Sequence, residues 1–198
     1  MYNLADFKAE NKEEVIAFMK AHPFVTLCGV DEQGQPVATH LPVLFEEKDG
    51  KIYLLAHAMR KQDHTIAFMQ NPNVLAIFSG DHAYISASWY ATKNVASTWN
   101  YKAVHAKGIV RFLDEKGLYD LLVKLTNHFE GDAESPAAVK HMDVKYIADN
   151  MKAIVAFEIE LTDIQHVFKL SQNRHEADKA KIANELESRG IVAEEMVK

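Results

Sequence analysis

Arg60 and Lys61 stand side by side in AHAMRKQDHTIAFMQNP, where a strand-like pattern ends and a helix-like one begins. The first turn of a helix carries partial positive charge, so each cation placed there is unfavourable by a few tenths to about 1 kcal/mol. The pairing makes sense if an anion sits between the two cations and the free N–H groups of that turn. The competing reading is a solvated basic corner partly neutralised by Asp63. A second polar cluster, Lys169, Ser171, Gln172, Asn173 and Arg174, opens the last helical pattern. THLP at 39–42 and SWYATKNVASTWNY at 88–101 bring the polar or aromatic clusters at strand ends to four. One side of a small barrel assembles a ligand groove in this way. Trp89 and Trp99, the only tryptophans, flank the polar run of the last stretch.

Other chemistries lack their spacing. Among ten histidines, His57 and His64 are seven apart, while His40, His82 and His105 fall in different strands. Without HExxH or a cysteine pair, the chain offers no metal-ligand pattern. Ser86 and Ser88 lie near His82, but no G-x-S-x-G elbow surrounds them. The eight glycines form neither a Walker nor a Rossmann phosphate loop. No residue is assigned a catalytic role and none a metal.

The elements that must position these clusters follow from periodicity. A helix is expected over 12–21, with Asn11 as its cap, Glu14 completing a capping box, and Val15, Phe18 and Met19 on its apolar face. Strands are expected at 24–30, 36–45 and 51–56, with Gly34 and Gly50 in the connecting turns. Pro42 removes a ladder donor and predicts an edge or a bulge. A short helix at 62–70 precedes strands at 74–79, 82–86 and 103–113. A helix at 115–129 carries Leu118, Leu121, Leu122 and Leu125, and 130–136 reads as a surface excursion. A strand at 153–162, a short one at HVFKL and a final helix capped by Asn173 and stopped by Gly190 complete the chain. The fold class is therefore mainly β, antiparallel-rich, a small barrel or sandwich with peripheral helices. A single domain over 1–198 is expected, with a helical insertion at about 115–150 and a C-terminal helix at about 174–189.

Composition narrows the function. With 198 residues, 48% apolar and 25% charged, the chain is an ordinary globular sequence. A net charge of −6 argues against phosphate-driven nucleic-acid binding. No apolar run approaches the roughly 20 residues of a membrane helix, so no membrane partner is expected. The start, MYNLADFKAE, has no signal-peptide pattern. The sole cysteine, Cys28, reads as a buried, inert thiol on the strand face of Phe24 and Thr26. A cytoplasmic, reducing location follows.

ATHLPVLF, AHAMRKQ, HAYISASWYATKNVASTWNYKAVHAKG and FKLSQNR occur in this order, and together they resemble the PaiB family of FMN-binding negative transcriptional regulators. The resemblance implies a split β-barrel of the pyridoxamine phosphate oxidase-like type, with FMN bound between the subunits of a homodimer. It implies that Arg60 and Lys61 clamp the FMN phosphate, that Thr39, His40 and Leu41 line the flavin edge, and that His57 and Ala58 run under the ribityl chain. Ser86, Ser88, Thr98 and Asn100 would hydrogen-bond ribityl hydroxyls or ring heteroatoms, and Trp89 and Trp99 would wall the groove. Lys169, Gln172, Asn173 and Arg174 would come from the C-terminal segment. The chain departs from the family pattern in lacking a proline after the first serine of SASWY and another before TWNY.

Two functions compete. The first is a flavin-dependent sensor or negative regulator, acting through a protein partner because no helix-turn-helix stands out and the charge disfavours direct DNA contact. The second is an FMN-dependent reductase or oxidase, and the histidines leave haem binding as a minor third.

Overall fold

A computed structural model describes residues 1–91 and 93–198; Thr92, in the loop between the tryptophans, lies outside the described residues. Pro42 does more than mark an edge. The stretch expected as one strand over 36–45 is two, β2 (Pro36–Pro42) and β3 (Leu44–Lys48). They occupy opposite ends of a seven-stranded sheet ordered β2-β1-β5-β6-β7-β4-β3. The other strands are β1 (Phe24–Val30), β4 (Lys51–Met59), β5 (Asn73–Ile85), β6 (Thr98–Phe112) and β7 (Ile154–Lys169). β2 runs antiparallel to β1 from Pro36 opposite Val30 to Pro42 opposite Phe24. Proline ends that pairing because it has no N–H to donate. The next amide, from the buried Val43, goes instead to the Pro23 carbonyl at 2.9 Å, and the chain leaves to pair β3 with β4.

The sheet is longer-stranded than periodicity implied. The expected strands at 74–79 and 82–86 are one, β5, continuous through Gly80. A Cβ on Gly80 would sit 2.8 Å from the Phe18 ring, so glycine here is a packing requirement. The strand expected at 103 begins at Thr98, and the strand at 153–162 continues through HVFK as β7.

The chain divides into two compact units, Met1–His22, Phe78–His105 and Gln165–Lys198 forming one, Pro23–Ile77 and Ala106–Ile164 the other. In the second unit β2 touches β4, so its strands curl round. Helix α2 (Asp63–Gln70) lies on β1 and β2, with Phe68 pressed so close to Gly29 that a Cβ there would meet the ring at 2.6 Å. Phe157 meets the edges of Phe68 and Phe112. Helix α3 (Glu115–Glu130) is N-capped by Asp114, which accepts from the Gly117 amide at 2.7 Å. It ends at Gly131 with φ 69°, the left-handed conformation glycine adopts freely. Its Leu118, Leu121 and Leu125 pack with Leu44, Leu55, Met151 and Ala156. The segment after it holds a helix that periodicity missed, α4 (Val144–Met151), capped by Asp143. Cys28 is half-buried and not buried as expected: it shares the more open face of β1 with Phe24 and Thr26, while Val25, Leu27 and Gly29 face the core.

In the first unit, α1 (Lys12–Ala21) starts at Asn11, whose side chain accepts from the Glu14 amide at 2.8 Å. The Glu14 carboxylate returns to the Glu10 amide, one residue earlier than a capping box requires. Helix α5 (Glu176–Glu187) begins after His175, so Asn173 is not its cap; residues 171–174 form a turn. Ile182 and Leu186 of α5 and Met196 of α6 (Ala193–Met196) join Ala83, Ile85 and Tyr90 in one buried cluster.

A test of strand packing is Gly108, where a Cβ would meet Ile159 Cγ2 at 2.4 Å and the Glu160 carbonyl oxygen at 2.8 Å. Backbone cannot swing aside as a side chain can. Gly108→Ala is expected to lower stability by about 1–3 kcal/mol, read from the urea midpoint.

Candidate functional site

The basic pair sits where β4 gives way to α2. Thr65, fully buried, donates its hydroxyl to the Met59 carbonyl at 2.8 Å and ties the first turn of α2 to the strand end. The Arg60 amide donates to the Ala153 carbonyl at 2.8 Å. Its guanidinium donates from Nε to the Lys152 carbonyl at 3.2 Å and from Nη2 to that of Ile154 at 2.8 Å. These bonds fix the plane of the guanidinium. Its remaining edge borders a cavity of about 290 Å3 lined by Met59, Arg60, Lys61, Gln62, Asp149, Lys152 and Ala153. Three cations and one carboxylate surround that space, and the carboxylate is already paired with Lys152 at 2.8 Å. The surplus of positive charge suits an anionic group. Arg60 and Lys152 also border a neighbouring cavity of about 390 Å3, with an apolar wall of Leu113, Leu118, Met151, Val155 and Ala156 and with Asp114 and Glu115 at its edge.

His57 lies three residues before Arg60 on β4, opposite Ala156 of β7. Among the described residues its buried Nδ1 has no hydrogen-bond partner, and burial pulls its pKa below the ordinary 6.5. An imidazole nitrogen left unpaired inside a protein costs roughly 1–3 kcal/mol, a cost that a ligand hydroxyl or amide would offset. Ala58 is buried, leaving little bulk on the opposite strand face, and Leu41 is buried while Thr39 is half-buried. His40 is exposed and stacks on Phe24 with ring centroids 6.3 Å apart.

The remaining candidates belong to the first unit. Ser86 and Ser88 hydrogen-bond each other at 2.8 Å as the cap of a short 3-10 turn, Ala87–Trp89. Trp89 is half-buried against the cluster around Tyr90, with the Arg189 guanidinium 4.7 Å above its ring. Trp99 is 52% exposed and packs its ring against Tyr84 and His82. The two tryptophans therefore have unlike settings. Asn100 is fully buried, its amide donating to Ser171 Oγ at 2.8 Å and to the Met196 carbonyl at 2.7 Å. Lys169 donates to the Thr98 hydroxyl. The Gln172 side chain spans its own turn, donating to the Phe168 carbonyl and accepting from the Leu170 amide. Asn173 is exposed, and Arg174 lies over the Tyr90 ring at 4.8 Å. Lys152, Thr65 and Tyr90 escaped the sequence reading, because no motif spacing marks them.

Residues 1–163 match the family described as "Putative FMN-binding domain". The chain belongs to that family. FMN is the cofactor this assigns, and the cation-rich cavity and the unpaired His57 nitrogen fit its phosphate and polar chain. The chain is also 37% identical over 188 residues to the protease synthase and sporulation protein PAI 2 of Bacillus subtilis, covering 95% of this chain and 90% of that protein. The PaiB-type resemblance of the sequence is thus borne out. Among solved structures, the FAD and heme binding protein of Mycobacterium smegmatis aligns with a TM-score of 0.60 at 14% identity, over 81% of this chain and 72% of that one. A conserved hypothetical protein of Mycobacterium tuberculosis aligns with a TM-score of 0.57 at 15% identity, over 85% and 90%. The fold is mainly β, of the split-barrel type expected. Among the described residues no helix is long and apolar enough to cross a membrane.

The depressed pKa of His57 has a consequence for stability. The folded chain binds this proton more weakly than the unfolded chain does, so unfolding takes up a proton as pH falls. The contribution is whole above 6.5 and is lost as pH falls through the depressed folded value. His57→Phe is expected to flatten the fall in stability below that pH relative to the parent, as measured by urea unfolding across a pH series.

Proposed function

We propose that the chain is a homodimeric, cytoplasmic flavin sensor. FMN is held through its phosphate at the Arg60–Lys61 corner, and the output is negative control of gene expression through a protein partner. The observation that carries the binding step is the cavity between β4, α2 and the residues before β7, where Arg60, Lys61 and Lys152 outnumber the one carboxylate, Asp149. Arg60 is pre-oriented by the two carbonyls it already holds, so it loses little freedom on gripping a phosphate. Lys61 adds a mobile point charge. His57, kept neutral by burial, can exchange a hydrogen bond with a ribityl hydroxyl or ring heteroatom without adding charge. Bound FMN would supply a redox-responsive ring; what these residues do is bind and orient it.

Two features favour a regulatory output. The similarity to a relative named for protease synthesis and sporulation runs along 95% of the chain. The acidic balance of 28 carboxylates to 22 basic side chains favours a protein partner over DNA.

The purified protein is expected to show a flavin absorbance spectrum and to release FMN on denaturation; a Soret band would favour haem instead. Arg60→Ala with Lys61→Ala is expected to weaken FMN binding by about a hundredfold or more. Unchanged affinity in that variant would move the phosphate elsewhere. Anaerobic NADH separates the roles: no rapid bleaching is expected of a sensor, and rapid bleaching would make the protein a reductase.

A further inference from the structure

We propose that residues 1–10 form a pH-sensitive strap, latched to β7 while the His166 ring is neutral and released when that ring takes a proton. The strap has little else to hold it. Of its ten residues only Phe7 is buried, and residues 1–6 are exposed. A segment with so few buried contacts opens locally far more readily than the sheet beneath it. What ties it down is a polar set, two bonds of which converge on one residue. The Ala9 amide donates to His166 Nε2 at 2.9 Å, and Lys8 Nζ donates to the His166 carbonyl at 3.2 Å. The next amide, that of Glu10, goes to the Glu14 carboxylate at 2.8 Å, and Lys198 pairs with Glu10 at 3.0 Å and with Glu14 at 3.4 Å.

The Ala9–His166 bond depends on protonation state by its geometry. A ring nitrogen that accepts an amide hydrogen presents its lone pair, so the neutral imidazole carries its own hydrogen on Nδ1. Protonation places a hydrogen on Nε2, where the Ala9 amide already points, and turns the acceptor into a second donor. The charged groups around the ring disfavour that proton. Lys8 of the strap repels it, and Lys102 of β6 stands 5.8 Å over the Phe168 ring, whose edge meets His166 at 5.4 Å. Glu14 of α1 attracts it but is already shared with Lys198. Burial, then Lys8, holds the His166 pKa below the ordinary 6.5 while the strap is closed. A released strap uncovers the ring and lets its proton affinity rise. Closure is therefore fully favoured above 6.5, and its advantage falls by up to about tenfold per pH unit until the pH passes the depressed value.

Opening has a local consequence. The rings of Tyr2 and Phe7, 6.0 Å and 5.6 Å from the Lys169 ammonium, leave with the strap. Any bearing of Lys169 on FMN rests on the proposed function; the latch does not.

The test reads the Ala9 amide of the full chain by solvent-exchange NMR, each rate divided by the intrinsic rate at the same pH. Between about pH 7.5 and 5.5, where ordinary carboxylates stay ionised, protection in the parent is expected to fall about threefold or more. His166→Gln keeps a side-chain oxygen that accepts without titrating, so its protection is expected to stay level across that range. His166→Ala is expected to be poorly protected at both ends. Ala9→Pro removes the donor, and Lys8 before it already has φ −96° and ψ 150°, the extended conformation that a following proline favours. In that variant the His166 titration, followed by its ring shifts, is expected to move up toward the ordinary value. Protection in the parent that ignores pH, or a His166→Gln chain that loses protection as the parent does, would overturn the latch. So would full protection in His166→Ala, or a His166 titration unmoved by Ala9→Pro. None of these readouts needs bound flavin, so a failure of the FMN reading leaves them standing.

Discussion

The sheet is organised around one missing hydrogen-bond donor. Pro42 cannot extend the β1–β2 ladder, and Val43 turns its amide to the Pro23 carbonyl, so the chain must find a new partner. It finds β4, and β3 becomes the opposite edge of the sheet. β4 is then sandwiched between β3 and β7, a position that fixes everything at its C-terminal end. His57 faces Ala156 by register, and Arg60 reaches the carbonyls of Lys152 and Ile154 because β7 begins there. A chain that continued β2 through residue 45 would leave β4 an edge strand, open on the side that β3 now covers.

Much of this was legible because local rules and tertiary needs agreed. α1 starts at Asn11, the core of α3 carries its helically spaced leucines, and the glycine turns fall where expected. The basic corner was legible for a physical reason: cations at the start of a helix are locally unfavourable, so their presence asks for an explanation. What failed involved context. β5 was expected as two strands, 74–79 and 82–86, yet the Gly80 between them is there for the Phe18 ring. Asn173 has the chemistry of a cap, but the turn held by Asn100 and Ser171 delays α5 to Glu176. α4 buries only Met151 of its eight residues, so the core marks its sequence weakly. Lys152 could not be found at all, since only the β4–β7 pairing brings it to Arg60.

Polar residues chosen from sequence as ligand contacts divide by what they already hold. Asn100 and Gln172 spend their hydrogen bonds on the chain itself, and both act on the same turn. Among the described residues, the Lys61 and Arg174 side chains and the His57 nitrogen have no hydrogen-bond partner. Residue type alone cannot separate these groups, because an amide that fastens a backbone and one that greets a ligand are written with the same letter. Burial and partner identity separate them.

The unlike settings of the two tryptophans give the molecule an internal optical ruler. Trp89 lies half-buried under a guanidinium, and Trp99 is half in solvent beside Tyr84 and His82. Their emission must differ in colour and in access to a dissolved quencher. A chain with no other indole thus reports, without any attached label, on two ends of one loop separately.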